Sequence, residues 1–537
     1  MGVVNASSKK MAPCQEACPA GIDVPSYVRF VREGRFEEAL AVVREKIPFP
    51  FVCGYACAHP CEAKCSRNQF EGPVAIRMLK RIAAEKGWRK QPKPVRLPST
   101  GRKIAVIGSG PAGLTAAYYL ALQGHDVTVF EALAEAGGLL RYGIPGYRLS
   151  DAVVDRDIRV IEQAGVRIRT KKRIDSAEAL LEKGYEAVFV APGAWRGLKM
   201  GIPGEDGPGV LDGLSFLKAV NSGRAPRIGA KVIVVGGGNT AVDAARASRR
   251  LGADVTILYR RTRAEMPAAA DEIAEALEEG VAITFLAAPV RIEKGSVTCI
   301  RMALGEADAS GRPRPVPVKK SEYVLEASTV IMAVGQEADV PAATLKRNRN
   351  GTIAVNADTL AASAKGIFAG GDAATGPASI ISAIGQGRRA AESIDRFLGG
   401  TGVIDRLSGR GAAEAIPEEA PRGTARVQPR LTTPKKRLGD FEIVEKTLDA
   451  ETAALEASRC LSCDLREFDV TVNEAACKDC GYCREVCGLQ IFTRSDHFNP
   501  GGYRPSIASR PERCIGCLKC LYICPDFAIT IRDRLAK

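Results

Sequence analysis

Two glycine-rich stretches, each between a strand-like and a helix-like run, constrain the fold of this chain most strongly. The first is KIAVIGSGPAGLTAAYYLALQGHDVTVFEA, in which Gly108, Gly110 and Gly113 form G-x-G-x-x-G. The first glycine permits a tight turn, the second lets the backbone approach a pyrophosphate, and the third lets helix and strand pack closely. Pro111 and Ala112 lie in the same turn, where free N–H groups of the helix would face the phosphates.

An acidic residue ends the second strand of this unit. Glu131 is placed to accept hydrogen bonds from an adenosine ribose. A lone G-x-G-x-x-G is a weak signal, but strand, helix and acidic residue together predict a dinucleotide site.

A second unit, KVIVVGGGNTAVDAARASRRLGADVTILYRR, repeats the pattern in its G-x-G-x-x-A form. Its turn contains Gly236 and Gly238, followed by Asn239 and Thr240 at the start of the helix. The sequence therefore predicts two dinucleotide sites in one chain.

The second strand of this unit ends differently. Tyr259 takes the place of the acidic residue, and Arg260 and Arg261 follow it. No carboxylate is available for a ribose 2′-hydroxyl, whereas two guanidinium groups are available for a 2′-phosphate, which favours NADPH over NADH. Alternatively, both arginines only cap a strand at the surface.

The cysteines are unevenly distributed. Of 17 in all, six lie between Cys14 and Cys65 and ten between Cys460 and Cys524, and Cys299 stands apart as a predicted buried, inert thiol. Such spacing in a cytoplasmic chain indicates metal binding rather than disulfides. With three histidines in the sequence, mixed zinc sites are a weak alternative.

A C-x-x-C-x-x-C-x-x-x-C run occurs twice near the C-terminus, which is the pattern of bacterial two-cluster ferredoxins. In that pattern the first three cysteines of a run bind one 4Fe–4S cluster and the fourth binds the other. The predicted ligand groups are Cys477, Cys480, Cys483 and Cys524 for one cluster, and Cys514, Cys517, Cys520 and Cys487 for the other. Pro525 follows the last ligand as the pattern expects, whereas Gly488 occupies the equivalent place in the first run.

The order of the motifs predicts an α/β chain with iron–sulfur domains at both ends. Helical periodicity marks Tyr27 to Lys46, and strand–helix alternation from Lys103 to Gly399 predicts parallel sheets. The expected domains are a helical iron–sulfur domain (1–98), an FAD domain in two parts (99–196 and 331–400), an inserted NAD(P)H domain (197–330), a linker with a returning RCLSC segment (401–470) and an α+β ferredoxin-like domain (471–537).

Composition limits the location and partners. No apolar run is long enough to span a membrane and no secretory signal is evident, so we expect a cytoplasmic protein. The net charge of +14 favours an acidic redox partner or a solvated surface. Only 6% of residues are aromatic and no basic run is interleaved with them, which argues against nucleic-acid binding.

The motifs together resemble the glutamate synthase small-subunit family, which includes the N-terminal half of dihydropyrimidine dehydrogenase and the large subunit of electron-bifurcating transhydrogenases. The matching stretches are CGYACAHPCEAKC, EGPVAIRMLKR, GSGPAGL, AGGLLRYGIPGYRL, GGGNTAVDAAR, YRRTRAEMP and GIFAGGDAATGPASIISAIGQGRRAA. The resemblance implies FAD at the first site and NAD(P)H at the second.

The resemblance also implies further flavin contacts. Gly138, Leu139 and Arg141 would run along the flavin side of the site. Gly371 and Asp372 would meet the ribityl–pyrophosphate part. A helix beginning near Ile380 would point its positive end at the flavin ring.

In the resembled family the N-terminal domain is helical and holds two clusters, whose first ligands come from an RCLxC motif. In this chain the motif appears far downstream as RCLSC, so we expect that segment to fold back. The resemblance implies one cluster bound by Cys14, Cys65, Cys460 and Cys463, and a second bound by Cys18, Cys57 and Cys61. Where some relatives use Gln or Glu as the fourth ligand this chain has Lys80, so Cys53 is the expected substitute, with an exogenous ligand or a three-iron cluster as alternatives.

These features predict an electron-transfer flavoprotein with FAD, NADPH and four 4Fe–4S clusters, and no side chain is singled out as a catalytic acid or base. It would act within a hetero-oligomer, such as a 2-oxoacid:ferredoxin oxidoreductase complex, or as a free-standing NADPH:ferredoxin oxidoreductase. The alternatives are a glutamate synthase small subunit, against which the fused tail argues, and a non-enzymatic polyferredoxin relay. The direction of electron flow is open.

Overall fold

The N-terminal region is helical in the computed structural model, which describes residues 11–90, 92–308, 311–338, 340, 344–405 and 423–534. Its helices are α1 (Pro13–Glu16), α2 (Val24–Arg32), α3 (Phe36–Lys46), α4 (Pro50–Ala56), α5 (Pro60–Ala63) and α6 (Ile76–Gly87). The stretch with predicted helical periodicity, Tyr27 to Lys46, is helical as two helices, α2 and α3, and Gly34 between them adopts a φ of +72°. Proline begins three of these helices, α1, α4 and α5, and is the second residue of α2, and in this first turn its missing N–H costs no hydrogen bond.

The central region alternates strands and helices, as the sequence predicts. Its elements are β1 (Lys103–Ile107), α7 (Pro111–Leu122), β2 (Asp126–Phe130), α8 (Leu139–Tyr142), α9 (Asp151–Gln163), β3 (Arg167–Arg169), α10 (Glu178–Glu182), β4 (Ala187–Val190), β5 (Arg196–Gly197), β6 (Val210–Asp212), α11 (Gly213–Asn221), β7 (Lys231–Val235), α12 (Asn239–Arg250), β8 (Asp254–Tyr259), α13 (Ala270–Glu278), β9 (Ala282–Phe285), β10 (Ala287–Glu293), β11 (Ser296–Ala307), β12 (Pro313–Pro317), β13 (Tyr323–Glu326), β14 (Thr329–Met332), β15 (Gln336–Glu337), β16 (Ile367–Ala369), α14 (Asp372–Thr375) and α15 (Ile380–Phe397).

Two parallel five-stranded sheets form this region. The strand order is β16-β4-β1-β2-β3 in the first sheet and β6-β14-β7-β8-β9 in the second. In β1 and β7 every residue after the first is buried, which is typical of parallel strands covered on both faces. The predicted fold class, with one dinucleotide-binding unit inserted in another, is confirmed.

The second unit leaves the first after β4 and returns before β16. The outgoing strand β5 pairs antiparallel with the returning strand β15, so the two crossings lie side by side. Strands β10 to β13 add a four-stranded antiparallel sheet. The expected domain limit at residue 330 falls inside β14, whose pairing with β7 continues to Met332 opposite Val235.

The chain then returns to the N-terminal domain and ends in a small α+β unit. These elements are β17 (Arg430–Leu431), α16 (Pro434–Arg437), β18 (Glu445–Lys446), α17 (Ala450–Ser458), β19 (Phe468–Val472), α18 (Tyr482–Val486), β20 (Phe492–Arg494), β21 (Ser506–Ala508), α19 (Lys519–Ile523) and β22 (Ile529–Asp533). Part of the predicted linker, residues 406–422, lies outside the described residues.

The N-terminal helices and the first dinucleotide-binding unit share one apolar core. Side chains of α2, α3, α4 and α6 pack in a continuous cluster with those of α7, α9, α15 and α17. The segment that returns at α17 is therefore part of the fold of the N-terminal domain. In the described parts of the chain, no helix combines the length and apolarity that a membrane crossing needs.

Candidate functional site

One cavity of about 660 Å³ lies between the two dinucleotide-binding units. Its walls come from the turn after β1, the start of α15 and the first residues of α11 and α12. The predicted cofactor residues that line it are Gly108, Gly110, Pro111, Ala112, Glu131, Gly138, Leu139, Asn239, Thr240, Gly371, Asp372 and Ile380. The predicted residues outside its lining are Gly113, Arg141, Gly236, Gly238, Arg260 and Arg261.

The three glycines after β1 differ in what surrounds them. Gly108 has a φ of +98°, and a Cβ there would lie 2.3 Å from the carbonyl oxygen of Ala191. At Gly113 a Cβ would lie 2.1 Å from the carbonyl oxygen of Gly108, so only glycine allows α7 to pack this closely. At Gly110 no atom of the described residues beyond its chain neighbours lies within 4 Å of the Cβ position, and this residue lines the cavity. The turn thus fits a pyrophosphate, whose oxygens could approach the backbone there.

Glu131 is buried at the end of β2 and accepts three hydrogen bonds. They come from the Ser109 backbone N–H at 3.0 Å, the Ser109 hydroxyl at 2.5 Å and the Leu133 N–H at 2.8 Å. The carboxylate is thereby held at the cavity wall. Ser109, in the glycine turn, was missed by the sequence reasoning, although its hydroxyl was a signal that could have identified it.

Arg141 does not reach the cavity, so its predicted place along the flavin side is not what the structure shows. Its Nε donates to the Ala136 carbonyl at 2.9 Å, and its guanidinium pairs with Glu135 at 3.1 Å, Asp151 at 3.2 Å and Asp155. Asp151 and Asp155, near the start of α9, thus bind the guanidinium group away from the cavity.

The GGD turn closes another wall. Gly371 has a φ of +63°, and a Cβ there would lie 2.9 Å from the Cβ of Ala112. Asp372 begins α14 and accepts a hydrogen bond from the Ala378 N–H at 3.1 Å, and burial raises the pKa of its carboxyl group. The helix predicted near Ile380 begins there, and Ser379 caps it by accepting from the Ser382 N–H at 3.2 Å.

The turn of the second unit resembles that of the first. Gly236 has a φ of +144°, and a Cβ there would lie 2.2 Å from the carbonyl oxygen of Ala333, whereas the Cβ position of Gly238 is open. Asn239 and Thr240 extend from this turn to the cavity wall, where the Thr240 hydroxyl accepts from Gln336 at 3.0 Å. One cavity is therefore bordered by the helix starts of both units.

The two arginines after β8 have different environments. Arg261 is buried, its guanidinium pairs with Asp308 at 2.7 Å, and its Nε donates to the Pro313 carbonyl at 2.7 Å. This pairing contradicts the prediction that both guanidinium groups are available. Arg260 is exposed, as is Arg263 one short turn later, which the sequence reasoning did not single out.

The segment that carries RCLSC folds back as expected, and Cys14, Cys65, Cys460 and Cys463 line one small cavity. Burial, with the neighbouring Cys463 thiol, raises the pKa of Cys460 to about 12. Thiolate sulfur is the ligand type that an iron–sulfur cluster requires, so these residues fit such a group.

Buried ionic contacts hold this segment in place. Arg29 of α2 pairs with Asp464 at 2.9 Å, and both side chains are almost fully buried. Arg459 pairs with Glu456 at 2.7 Å and donates to the carbonyls of Gly72 and Pro73 at 2.8 and 3.1 Å.

A second group of cysteines surrounds Lys80 of α6. Burial lowers the pKa of the Lys80 ammonium, but Cys57, Cys53, Cys61 and Cys18 outweigh this effect, so the pKa is raised. Cys53 lies in α4 and Cys57 directly follows that helix. The four cysteines thus lie close enough together to act on one buried cation.

The position of α4, the helix that carries Cys53, is fixed by a residue of another helix. Its N-cap residue, Phe49, supplies no capping hydrogen bond, and Asp157 of α9 instead accepts from the N–H groups of Val52 at 2.9 Å and Phe51 at 3.5 Å. A carboxylate at a helix N-terminus is stabilising, so the first dinucleotide-binding unit helps to position the cysteine-bearing helix.

The C-terminal cysteines also form two groups. Cys477, Cys480, Cys483 and Cys524 line one cavity. Burial raises the pKa of Cys520 to about 12, with contributions from Cys517, Cys487 and Cys514. Antiparallel pairing of β19 with β22 brings the distant cysteines of each group together.

Cys299 is buried in β11, where burial raises its pKa to about 11. Among the described residues, no three Cys, His, Asp or Glu side chains converge on a single-ion site. Each cysteine group instead contains four thiols around shared space or a shared neighbour.

Two cavity residues had no sequence motif that could have identified them. Lys218 of α11 and Trp195 both line the cavity, and the Lys218 Nζ lies 5.6 Å from the Trp195 ring centroid. The same ammonium lies 5.9 Å from the ring of Tyr142. Only the packing of the two units brings these side chains together.

Three family profiles match the chain. The pyridine nucleotide-disulphide oxidoreductase family covers residues 102–387, dihydropyrimidine dehydrogenase domain II with a 4Fe–4S cluster covers 7–92, and the 4Fe–4S dicluster domain covers 476–528. In the solved structure of Mycobacterium tuberculosis FprA in complex with NADPH, 85% of that chain aligns with 56% of this one, at 21% identity and a TM-score of 0.49.

Curated relatives match over most of the chain. The NADP(+)-dependent formate dehydrogenase subunit beta of Moorella thermoacetica is 40% identical over 84% of this chain and 70% of its own length. The NADPH-Fe(3+) oxidoreductase subunit beta of Geobacter sulfurreducens is 43% identical over 73% of this chain, and the match spans 64% of that relative. The glutamate synthase (NADPH) small chain of Azospirillum brasilense is 35% identical over 72% of this chain and 86% of its own length.

The two parallel sheets, the glycine turn in each unit and the matches to family profiles and curated relatives all indicate the same family. The chain belongs to the pyridine nucleotide-disulphide oxidoreductase family, as a glutamate synthase small-subunit-like oxidoreductase with FAD- and NADP-binding units and an iron–sulfur domain on either side of them.

Proposed function

We propose that this chain oxidises NADPH and delivers the electrons singly to a redox partner, as one subunit of a larger enzyme. The shared cavity carries this proposal. Gly110 of the first unit and Asn239 of the second both line it, as do Ala56 and Ala58, which flank Cys57. Dinucleotides on the two turns would therefore meet beside a cysteine of the N-terminal domain.

The first unit would hold FAD. The backbone at Gly110, Pro111 and Ala112 would face the pyrophosphate, and Glu131 the ribose. When bound, FAD can accept a hydride from a nicotinamide and release two electrons one at a time. The N–H groups at the start of α15 favour negative charge at the cavity wall.

The second unit would prefer NADPH. Because Arg261 is paired with Asp308, the 2′-phosphate would be bound by Arg260, with the exposed Arg263 nearby. The names of three relatives support this preference, since each specifies NADP or NADPH.

Four 4Fe–4S clusters would be bound by the four cysteine groups. Two of these ligand sets line cavities of their own. The other two are supported by the raised pKa values of Lys80 and Cys520, to which the neighbouring cysteines contribute. In the group around Lys80, Cys53 would be the fourth ligand, because an ammonium cannot coordinate iron.

We further propose a cytoplasmic hetero-oligomer, because two of the relatives are named as beta subunits. The glutamate synthase small chain is the second candidate, but its match covers 72% of this chain, which also has a ferredoxin-like tail at 476–528. Anaerobic native purification tests this point: a co-eluting catalytic subunit supports the proposal, whereas elution alone with full ferredoxin reduction favours a free-standing enzyme.

Anaerobic titration with NADPH tests the redox activity. We expect stoichiometric NADPH to bleach the flavin absorbance and to generate EPR signals of reduced clusters. A flavin that stays oxidised with both NADPH and NADH would disprove the proposal.

Kinetics of an arginine variant test the coenzyme preference. We expect Arg260→Ala to raise the KM for NADPH about tenfold or more and to leave that for NADH unchanged, because one phosphate contact is lost. Arg314→Ala, an exposed arginine in β12, is the matched control. Equal effects on both coenzymes would exclude a 2′-phosphate role.

A further inference from the structure

The ferredoxin-like unit exposes an unusual set of large apolar side chains. Tyr482, Tyr522, Ile523 and Phe527, which we call the apolar face, are 48%, 78%, 43% and 89% exposed. Monomeric proteins rarely leave such side chains together in water, and aromatic residues are enriched where proteins dock.

Three members of the apolar face are direct sequence neighbours of residues that line the Cys477 cavity. Tyr482 lies between Gly481 and Cys483 in the sequence, Ile523 precedes Cys524, and Phe527 lies between Asp526 and Ala528. These five neighbouring residues line the Cys477 cavity. The helices α18 and α19 that carry Tyr482 and Tyr522 pack against each other. Cys480, in the same group, is itself exposed.

The other cysteine group of the unit lies toward the rest of the molecule. Gly488, next to Cys487, packs on the N-terminal domain, where its Cβ position lies 2.4 Å from the Nε2 of Gln69. Gln69 is in turn close in sequence to Cys65, a predicted ligand in that domain. The Cys477 group is therefore the farther of the unit's two cysteine groups from the N-terminal domain.

The charge at this end is also informative. Lys519, which begins α19, is exposed, and so is Lys478, which precedes the exposed Cys480 by two residues and lies 3.6 Å from the carboxylate of Asp526. The whole chain carries a net charge of +14. A partner surface with an apolar centre and an acidic rim would complement these features.

We propose that the apolar face is the docking surface for an acidic, one-electron redox protein that bears an iron–sulfur cluster. This inference rests on the proposed function and adds the place where electrons leave. Each NADPH that is oxidised to NADP⁺ and H⁺ supplies two electrons, and each electron reduces one acceptor cluster in the docked protein.

A double variant, Tyr522→Ser with Phe527→Ser, tests the docking surface with a purified acidic ferredoxin that contains two 4Fe–4S clusters. We expect its KM for ferredoxin to rise at least tenfold, while iron content, FAD content and NADPH-dependent reduction of benzyl viologen match the unaltered protein. Val324→Ser, which changes a 64% exposed side chain of β13 in the inserted unit, is the matched control and should alter none of these values.

An unchanged KM for ferredoxin in the double variant would overturn the proposal. If the unaltered protein is a dimer and the double variant is a monomer, the proposal is also overturned, because the face would then bind a second copy of the chain. Absence of NADPH-dependent dye reduction in the unaltered protein would instead disprove the proposed function, so the two failures are distinguishable.

Discussion

Glycine is required for two opposite reasons in the turn after β1. At Gly113 an added Cβ would lie 2.1 Å from the carbonyl oxygen of Gly108, so the absence of a side chain permits close packing. At Gly110 the φ is −72° and the Cβ position is open, so the fold itself tolerates a side chain. Under the proposed function, the pyrophosphate of FAD would take the open space at Gly110.

Substitution of these glycines should separate binding from folding. We expect Gly110→Val to lower FAD content at least fivefold and to leave the melting temperature of the FAD-free protein almost unchanged. Gly113→Val should destabilise the FAD-free protein by about 1–3 kcal/mol, because overpacking forces helix and strand apart. Flavin absorbance and circular dichroism melting measure the two effects, and full FAD content in Gly110→Val would contradict the assignment.

A buried cluster of charges in the inserted unit should make stability depend on pH. Arg246 pairs with Glu272, Glu275 and Glu279. Burial raises the pKa of Glu275 to about 7, although Arg246 partly opposes this effect. Because the folded protein then binds the proton more tightly than the unfolded chain, this contribution to stability is present below about pH 4.3 and is lost as the pH rises through about 7.

Glu275→Gln should remove this dependence. The amide can still accept a hydrogen bond from Arg246 but carries no charge to desolvate. Between pH 5.5 and pH 8 the unaltered protein should lose about 2 kcal/mol, from about 1.5 units below a pKa of about 7 at 1.36 kcal/mol per unit, and the variant should gain this amount relative to it. Melting temperatures at both pH values measure the gain, and the exposed control Glu451→Gln should show none.

At the scale of elements, the helix α17 completes a domain that begins more than half the chain earlier. Its Glu456 is fully buried and accepts hydrogen bonds from the N–H groups of Ala75 and Val427, both at 2.8 Å. Arg459 at its end donates to carbonyls of the N-terminal domain. Polar contacts of this kind specify where a segment docks, because each is costly to leave unsatisfied.

Arg459→Met should release the end of α17 and disturb the cysteines that follow. The carbonyls of Gly72, Pro73 and Thr424 would lose their donor, at a cost of about 1–3 kcal/mol for each that stays buried. We expect iron content to fall by one cluster, about four Fe per chain, with FAD content unchanged. Arg430→Met, which breaks an exposed pair with Asp449, is the control, and equal iron loss in both variants would refute the docking role.

At the scale of the whole molecule, the cysteine groups form a series between the cavity and the apolar face. Ala56 and Ala58 place the Lys80 group at the cavity wall, and the Cys14 group is next to it, since α1 with Cys14 packs against α5 with Cys61. The contact of Gly488 with Gln69 then joins the N-terminal domain to the ferredoxin-like unit. Under the proposed function, electrons would follow one path through the molecule, whichever end donates them.

The net charge of +14 should make partner association sensitive to salt. At saturating NADPH, we expect the rate of reduction of an acidic ferredoxin to fall several-fold between about 50 and 500 mM ionic strength, because screening weakens electrostatic steering. Reduction of an uncharged dye under the same conditions should stay constant. A ferredoxin rate that rises or stays level with salt would show that charge does not guide the encounter.

The sequence alone determined the features that depend on local backbone geometry. Glycine turns, strand–helix alternation and cysteine spacing act over a few residues, and they predicted both dinucleotide-binding units and the ferredoxin-like pattern. The turn at Gly34 between α2 and α3 belongs to this class too, because it depends on the backbone of a single glycine.

Only the tertiary structure decided which partners the long charged side chains take. Arg141 binds carboxylates of α9 and Arg261 binds Asp308, so neither faces the cavity as the motifs predict. A guanidinium group reaches several ångströms in any direction, and packing of distant segments determines which acceptor it meets. For the same reason, the cavity positions of Trp195 and Lys218 became evident only once both units were folded against each other.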